Sequence, residues 1–183
     1  MELDPNSGPL PAYLRDMTTN QNTTANAAEY VAPTVRLAVD ELAPKINKAL
    51  NTLERVSRDI SLEKPLQEIV RLRASQINGC VYCVDMHSRD AMAGGDTERR
   101  INLVGSWREA PFFTARERAA LQLTEAVTRL ADTEVSDEVW NEAKAHFSET
   151  ELAELLWTIT VINAWNRLGA VARPWALSGD AKD

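Results

Sequence analysis

The sequence predicts an all-α protein, and three observations carry that expectation. Its chain breakers, Pro33, Pro44, Pro65, Gly79, Gly94-Gly95, Gly105, Pro111 and Gly169, fall between periodic segments and divide the chain into helix-sized pieces. Apolar residues recur with a period near 3.6, in Leu66, Ile69, Val70 and Ile77 and again in Ala119, Leu123, Ala126, Val127 and Leu130. Two capping boxes, Thr114-Ala115-Arg116-Glu117 and Ser148-Glu149-Thr150-Glu151, mark helix starts. No segment sustains the alternation of a half-buried strand, and no internal repeat is present.

Taken in order, residues 1–32 are polar, with the run Thr18-Thr19-Asn20-Gln21-Asn22-Thr23-Thr24, and hold too little apolar surface to offset ordering. They are expected to form a flexible N-terminal segment. Met17 can serve as a natural start, which makes residues 1–16 a candidate vector-derived leader. Residues 33–183 then form one helical domain. Within it, Pro65 to Asn78 reads as a helix, Asn78-Gly79 as a break, and Cys80 onward as the next helix. From Phe112 to Leu168 there is neither Gly nor Pro. The last helix, about Glu149 to Leu168, carries two apolar stripes, Leu152-Leu155-Leu156-Ile159-Ile162 and Trp157-Val161-Trp165-Leu168. Such a helix belongs at the centre of a bundle or under a subunit interface.

The 183 residues suit a single domain that buries roughly 70% of its unfolded surface. With 20 Lys+Arg against 27 Asp+Glu, a net charge of −7, and no basic run, neither a nucleic-acid backbone nor an anionic membrane is the expected partner. The longest apolar stretch, Leu155 to Trp165, is interrupted by Thr158, Thr160 and Asn163 and falls well short of the ~20 residues of a membrane span. Two cysteines do not make a secreted disulfide framework, and no charged-then-apolar leader opens the chain. The expected location is the reducing cytoplasm.

Both cysteines and one of the two histidines stand together in Cys80-Val81-Tyr82-Cys83-Val84-Asp85-Met86-His87. At about 100° per residue, Cys80, Cys83 and His87 share one helix face. Cysteines three apart can span the roughly 4.4–6.8 Å between Cα atoms that a disulfide needs. A helix N-terminus favours thiolate, so a redox-active pair is the physical expectation. The competing readings are two buried small hydrophobes and a zinc site on Cys80, Cys83 and His87, which lacks an evident fourth ligand. Spacing alone leaves Glu68 a surface carboxylate, although a hairpin about Asn78-Gly79 can aim it at His87. The five tryptophans, scattered along the helices, read as core or interface residues rather than a cofactor box. Arg71, Arg73, Arg99 and Arg100 read as partners of carboxylates on solvated faces. Asn163 and Arg167, on the apolar last helix, need buried partners and so brace the site or an interface. His146 reads as an exposed residue near a helix end.

Glu68, eleven residues, Cys80-x-x-Cys83, three residues and His87 together resemble the catalytic pattern of the AhpD-like alkylhydroperoxidases of the carboxymuconolactone decarboxylase superfamily. Arg71-Leu72-Arg73-Ala74-Ser75-Gln76-Ile77-Asn78-Gly79-Cys80, Trp107-Arg108-Glu109-Ala110-Pro111-Phe112-Phe113-Thr114 and Ile162-Asn163-Ala164-Trp165-Asn166-Arg167-Leu168 extend the resemblance over about Val35 to Arg173. It implies a helical bundle with a hairpin carrying the CxxC motif, assembled as a homo-oligomer, a trimer or a hexamer. It implies a peroxidase acting on organic hydroperoxides and on hydrogen peroxide, with Cys83 attacking, Cys80 as proton donor and resolving thiol, and Glu68 with His87 relaying protons. Helix position alone favours Cys80 as the more acidic thiol. No metal, haem or flavin is implied. The disulfide then needs a reductant: a lipoylated protein, a thioredoxin-like protein or a low-molecular-weight thiol. Some relatives carry His immediately before the second cysteine, where this chain has Tyr82, so an extra proton donor and the choice of reductant are left open. A redox sensor using the same cysteines is the alternative from another class. Lactone decarboxylation, which has no use for the Cys pair, is a further alternative.

Overall fold

The computed structural model describes residues 34–175 and 177, so the expected N-terminal segment lies outside the described residues. The described chain is helical throughout: α1 (Val39–Leu42), α2 (Pro44–Arg58), α3 (Lys64–Asn78), α4 (Val81–Ala93), α5 (Glu98–Leu103) running into a 3-10 turn (Val104–Ser106), α6 (Ala115–Thr128), α7 (Asp137–His146) and α8 (Glu149–Ala172). No described helix is long and apolar enough to cross a membrane.

Local chemistry sets the ends. Pro44 and Pro65 open α2 and α3 in the first turn, where a missing N–H leaves no helix bond unmade. Both capping boxes form, Thr114 with Glu117 on α6 and Ser148 with Glu151 on α8. Gly79 closes α3 in the left-handed conformation, φ 67°, with its N–H on Gln76 O and the Cys80 N–H on Ser75 O. This paired closure is the one a glycine permits at no steric cost. α8 runs past the expected end at Leu168 to Ala172, through Gly169. That glycine is no breaker. A Cβ there would lie 2.6 Å from the Cys80 sulfur, so its missing side chain makes room for a neighbour.

α3 is the central helix, packed on α4, α6 and α8. Leu66 to Leu72, Ala74 and Ser75 are all buried, so α3 has no solvated face in this stretch. The expectation for Arg71 is therefore corrected: it is 0% exposed, because packing surrounds α3 on all sides and its polar residues pair with one another. Arg73 is also largely covered, bonded through Nε and Nη2 at 2.7 Å to Glu125, which also accepts from Trp107 Nε1 at 2.9 Å. Arg100 does pair with Asp96 and Glu117, whereas Arg99 lies over the Phe112 ring. His146 ends α7 half-buried beside Glu142.

α2 is turned inside out. Its outward row includes Ile46, 74% exposed, with Leu53 and Val56. Its opposite, polar row of Asn47, Asn51, Glu54 and Arg58 faces a cavity. Beyond α8, Arg173 adopts φ 49° and the chain turns back to stack Trp175 on Trp165 and Tyr82.

Candidate active site

The hairpin between α3 and α4 builds the site. Asn78 Nδ2 lies 2.9 Å from Asn163 Oδ1 and 3.0 Å from Asn166 Oδ1, so α8 grips the last turn of α3. Asn163 also donates to Thr128 and accepts from Arg167, which gives the two polar residues of the last helix the bracing role expected of them. The turn at Gly79 then delivers Cys80 as the N-cap of α4. Cys80 and Cys83 are joined as a disulfide, their Cα atoms 5.3 Å apart. The sulfurs are 1% and 2% exposed residues at the floor of the hairpin. One turn on, His87 is buried, and Glu68 reaches it across the hairpin with Oε2 2.8 Å from Nδ1. Glu68, Cys80, Cys83 and His87 are thus gathered in one place, and Glu68 is not a surface carboxylate.

Two arginines hold that carboxylate. Arg58 Nη1 lies 3.1 Å and Arg71 Nη1 3.6 Å from Glu68 Oε1. Arg71 is further fixed by Gln67 Oε1 and the Ser57 carbonyl, and Arg58 by Glu54 at 2.6 Å. Burial by itself would raise the Glu68 carboxyl. The hydrogen bond and charge of His87, with the charges of Arg58 and Arg71, outweigh it and hold the group below the ordinary carboxylate value. Burial pushes the Arg71 guanidinium down, and Arg71 stays cationic all the same. An ionised Glu68 accepts the proton on Nδ1, so Nε2 is the ring nitrogen left to exchange a proton with a neighbour. Nε2 is buried and has no hydrogen-bond partner among the described residues.

A cavity of about 360 Å³ opens over His87 and Cys83. One wall is Asp40 and the polar row of α2; the other is Tyr82, Met86, Ile162, Trp165 and Trp175. Cys80 is not among its lining residues and lies instead behind Cys83, against Gly169. Trp165 and Trp175 were expected in a core or interface; they line this cavity. Trp157, expected in the core or at a subunit interface, is 57% exposed in the single chain and so is not a core residue.

Glu68, His87 and Asp90 bring ligand atoms within 4.8 Å of one another, close enough for a metal ion to be considered. Arg58 already sits between Glu68 and Asp90, at 3.1 and 3.6 Å, so a cation there meets a cation. In the disulfide form the zinc set of Cys80, Cys83 and His87 offers no thiolate.

Sequence reasoning missed Arg58, Arg71, Gly169 and the aromatic wall. The spacing of Arg71 from Glu68, three residues on one helix, was the available signal for Arg71.

Known proteins set this geometry in context. Residues 44–126 match the model of the carboxymuconolactone decarboxylase family. The uncharacterized protein YdfG of Bacillus subtilis is 35% identical over 133 residues, 73% of this chain and 90% of the relative. A crystal structure from Agrobacterium tumefaciens, of a protein of unknown function described as a candidate antioxidant defence protein AhpD, superposes with a TM-score of 0.75 at 37% identity, covering 78% of this chain and 97% of that one. The debrominase Bmp8 shares the fold at a TM-score of 0.68 and 19% identity, over 75% and 74% of the two chains. The all-helical hairpin carrying the Cys pair and the YdfG identity over nine-tenths of that relative agree with the family model: the chain belongs to the carboxymuconolactone decarboxylase family, among its AhpD-like members.

Proposed function

We propose that the protein is a thiol-dependent peroxidase that reduces organic hydroperoxides through a Cys80/Cys83 cycle. The observation that carries this reading is the division of labour at the cavity floor: Cys83 shares the cavity with His87, whose Nε2 has no partner among the described residues, while Cys80 lies behind it. In the reduced protein, His87 Nε2 takes the Cys83 proton, and the Glu68 carboxylate on Nδ1 stabilises the imidazolium. The thiolate attacks the terminal oxygen of the hydroperoxide. The O–O bond breaks, its electron pair leaves with the alkoxide, and the Cys80 thiol protonates the alkoxide to alcohol. Cys83 is now a sulfenic acid. The Cys80 thiolate attacks the Cys83 sulfur and expels hydroxide, which takes the proton from His87 to give water. The disulfide returns to two thiols on receipt of two electrons and two protons from a dithiol, whether on a lipoylated protein, a thioredoxin-like protein or two low-molecular-weight thiols.

Consumption of cumene hydroperoxide by the pre-reduced protein, with dithiothreitol as electron source, tests the reading. Repeated turnover, loss of two thiols per chain in a single cycle, and abolition by Cys83→Ser are expected. Peroxide left untouched and thiols retained would sink it. The Glu68–His87 pair favours turnover over simple sensing, because a sensor has no use for a relay. Glu68→Gln should cost about 10²–10⁴ in rate by removing the group that orients the base. A sensor would still oxidise normally.

A further inference from the structure

The two walls of the cavity differ in chemistry, and the difference bears on which hydroperoxide the site takes. The first wall is apolar and aromatic. Tyr82 and Trp175 lie with ring centroids 5.2 Å apart at 38°, and Trp165 and Trp175 5.7 Å apart at 60°. These three rings come from α4, from α8 and from the segment after α8, so tertiary structure brings them together over the cysteines. Met86 and Ile162 extend the same surface. A space of about 360 Å³ holds roughly a dozen waters, at about 30 Å³ each. Hydrogen peroxide, with two heavy atoms, touches little of such a wall. A flat ring covers it, and the apolar area it removes from water serves to hold the O–O bond over Cys83.

The facing wall is polar, and its charge is negative or spoken for. Asp40 and Glu54 supply carboxylates, and Asn47 and Asn51 neutral amides. Its one cation among the described residues, Arg58, already meets Glu54 at 2.6 Å, Glu68 at 3.1 Å and Asp90 at 3.6 Å. Arg71, the other nearby cation, is 0% exposed and does not line the cavity. Among the described lining residues a substrate carboxylate finds Arg58 already paired with Glu54 and meets the like charge of Asp40.

We propose that this cavity selects uncharged hydroperoxides borne on an aromatic ring, over hydrogen peroxide and over hydroperoxides that carry a carboxylate. The proposal deepens, and rests on, the peroxidase reading of the same site. Tyr82, where some relatives carry His, then serves as part of the ring-binding wall.

The test has a binding arm and a turnover arm. Binding uses the wild-type disulfide form, read by its own tryptophan fluorescence. It is titrated with 2-phenyl-2-propanol, the alcohol formed from cumene hydroperoxide, and with 2-hydroxy-2-phenylpropanoate, the same skeleton with a carboxylate in place of one methyl group. Saturable binding of the alcohol is expected, at least tenfold tighter than the carboxylate, weakened about tenfold in Trp165→Ala and in Tyr82→Ala. Asp40→Asn should narrow the gap between the two ligands. Equal binding of both, or saturable binding of neither, overturns the proposal. In turnover, the ratio of kcat/KM for cumene hydroperoxide to that for hydrogen peroxide should exceed about ten and fall toward one in both ring variants. The ratio does not move if a variant merely loses active protein. Hydrogen peroxide turned over as well as cumene hydroperoxide overturns the selectivity and leaves the peroxidase standing. Alcohol binding as described with neither peroxide consumed supports the ring site and overturns the peroxidase reading.

Discussion

Gly169→Ala is a single-methyl probe of the packing behind the disulfide. The new Cβ would fall 2.6 Å from Cys80 Sγ, 3.3 Å from a Trp175 ring carbon and 3.5 Å from Cys83 Sγ. The first contact is about 1 Å inside van der Waals separation. Nothing in that direction is a flexible side-chain end: Cys80 is tied by its disulfide and by the α3 closure, so α8 and the hairpin must part. Overpacking of this kind costs about 1–3 kcal/mol, and alanine recovers up to about 1 kcal/mol over glycine within a helix. The net loss is about 0–2 kcal/mol, a fall in Tm of no more than about 8 °C for a chain of this size. Activity should suffer far more than stability, since displacing a reacting group by about 1 Å can cost on the order of 10² in rate. Cumene hydroperoxide turnover measured beside thermal unfolding checks both. Wild-type turnover together with wild-type Tm in Gly169→Ala would refute the close approach of α8 to the sulfurs.

Other expectations concern the buried charges. Glu125 joins Arg73, Arg108 and the Trp107 indole, so Glu125→Ala strands buried donors; a loss of about 3 kcal/mol and a Tm lower by about 6–12 °C are expected, with altered Trp107 emission as the local sign. Arg71→Met removes a fully buried cation beside Glu68 and Glu54, which should raise the Glu68 carboxyl and move the acid limb of the turnover profile upward in pH; an unmoved limb would mean that His87 and Arg58 hold that charge without Arg71. Glu68, Glu117 and Glu125 are all held below the ordinary carboxylate value, and Glu151 is lowered to about 2 by Arg116 and its cap bonds. Depressed carboxyls stabilise the fold above their unfolded pKa of about 4.3 and lose that contribution as pH falls through their folded values. Urea unfolding should therefore show these carboxyls' contribution as a decline in stability below about pH 4.3.

The sequence displayed its helices clearly and concealed which of them lies at the centre. Capping boxes, prolines at helix starts and the Asn78-Gly79 break are local chemistry, and each lies where the structure has an end. The Cys80, Cys83 and His87 face is likewise a matter of helical spacing. α3 was harder to read because its charges look like a solvated stripe. Arg71 and Glu68 are buried together, and burial of paired opposite charges leaves a sequence pattern indistinguishable from exposure of the same pair. Gly169 was misread for a related reason, as a residue chosen for its backbone when its value is the side chain it lacks. The aromatic wall was out of reach of any local pattern, since Tyr82, Trp165 and Trp175 lie on separate segments.

The turn at Arg173 that folds Trp175 back has an optical consequence. Through the position of the absent Gly169 Cβ, 3.3 Å from the indole and 2.6 Å from Cys80 Sγ, the ring and the sulfur lie within about 6 Å of each other. A disulfide at that range accepts an electron from an excited indole and darkens it, whereas two thiols do so far less. The chain carries its own redox lamp: Trp175 should brighten as the cysteines are reduced and dim as they close, so that each step of the cycle can be timed in a stopped-flow cell without a label.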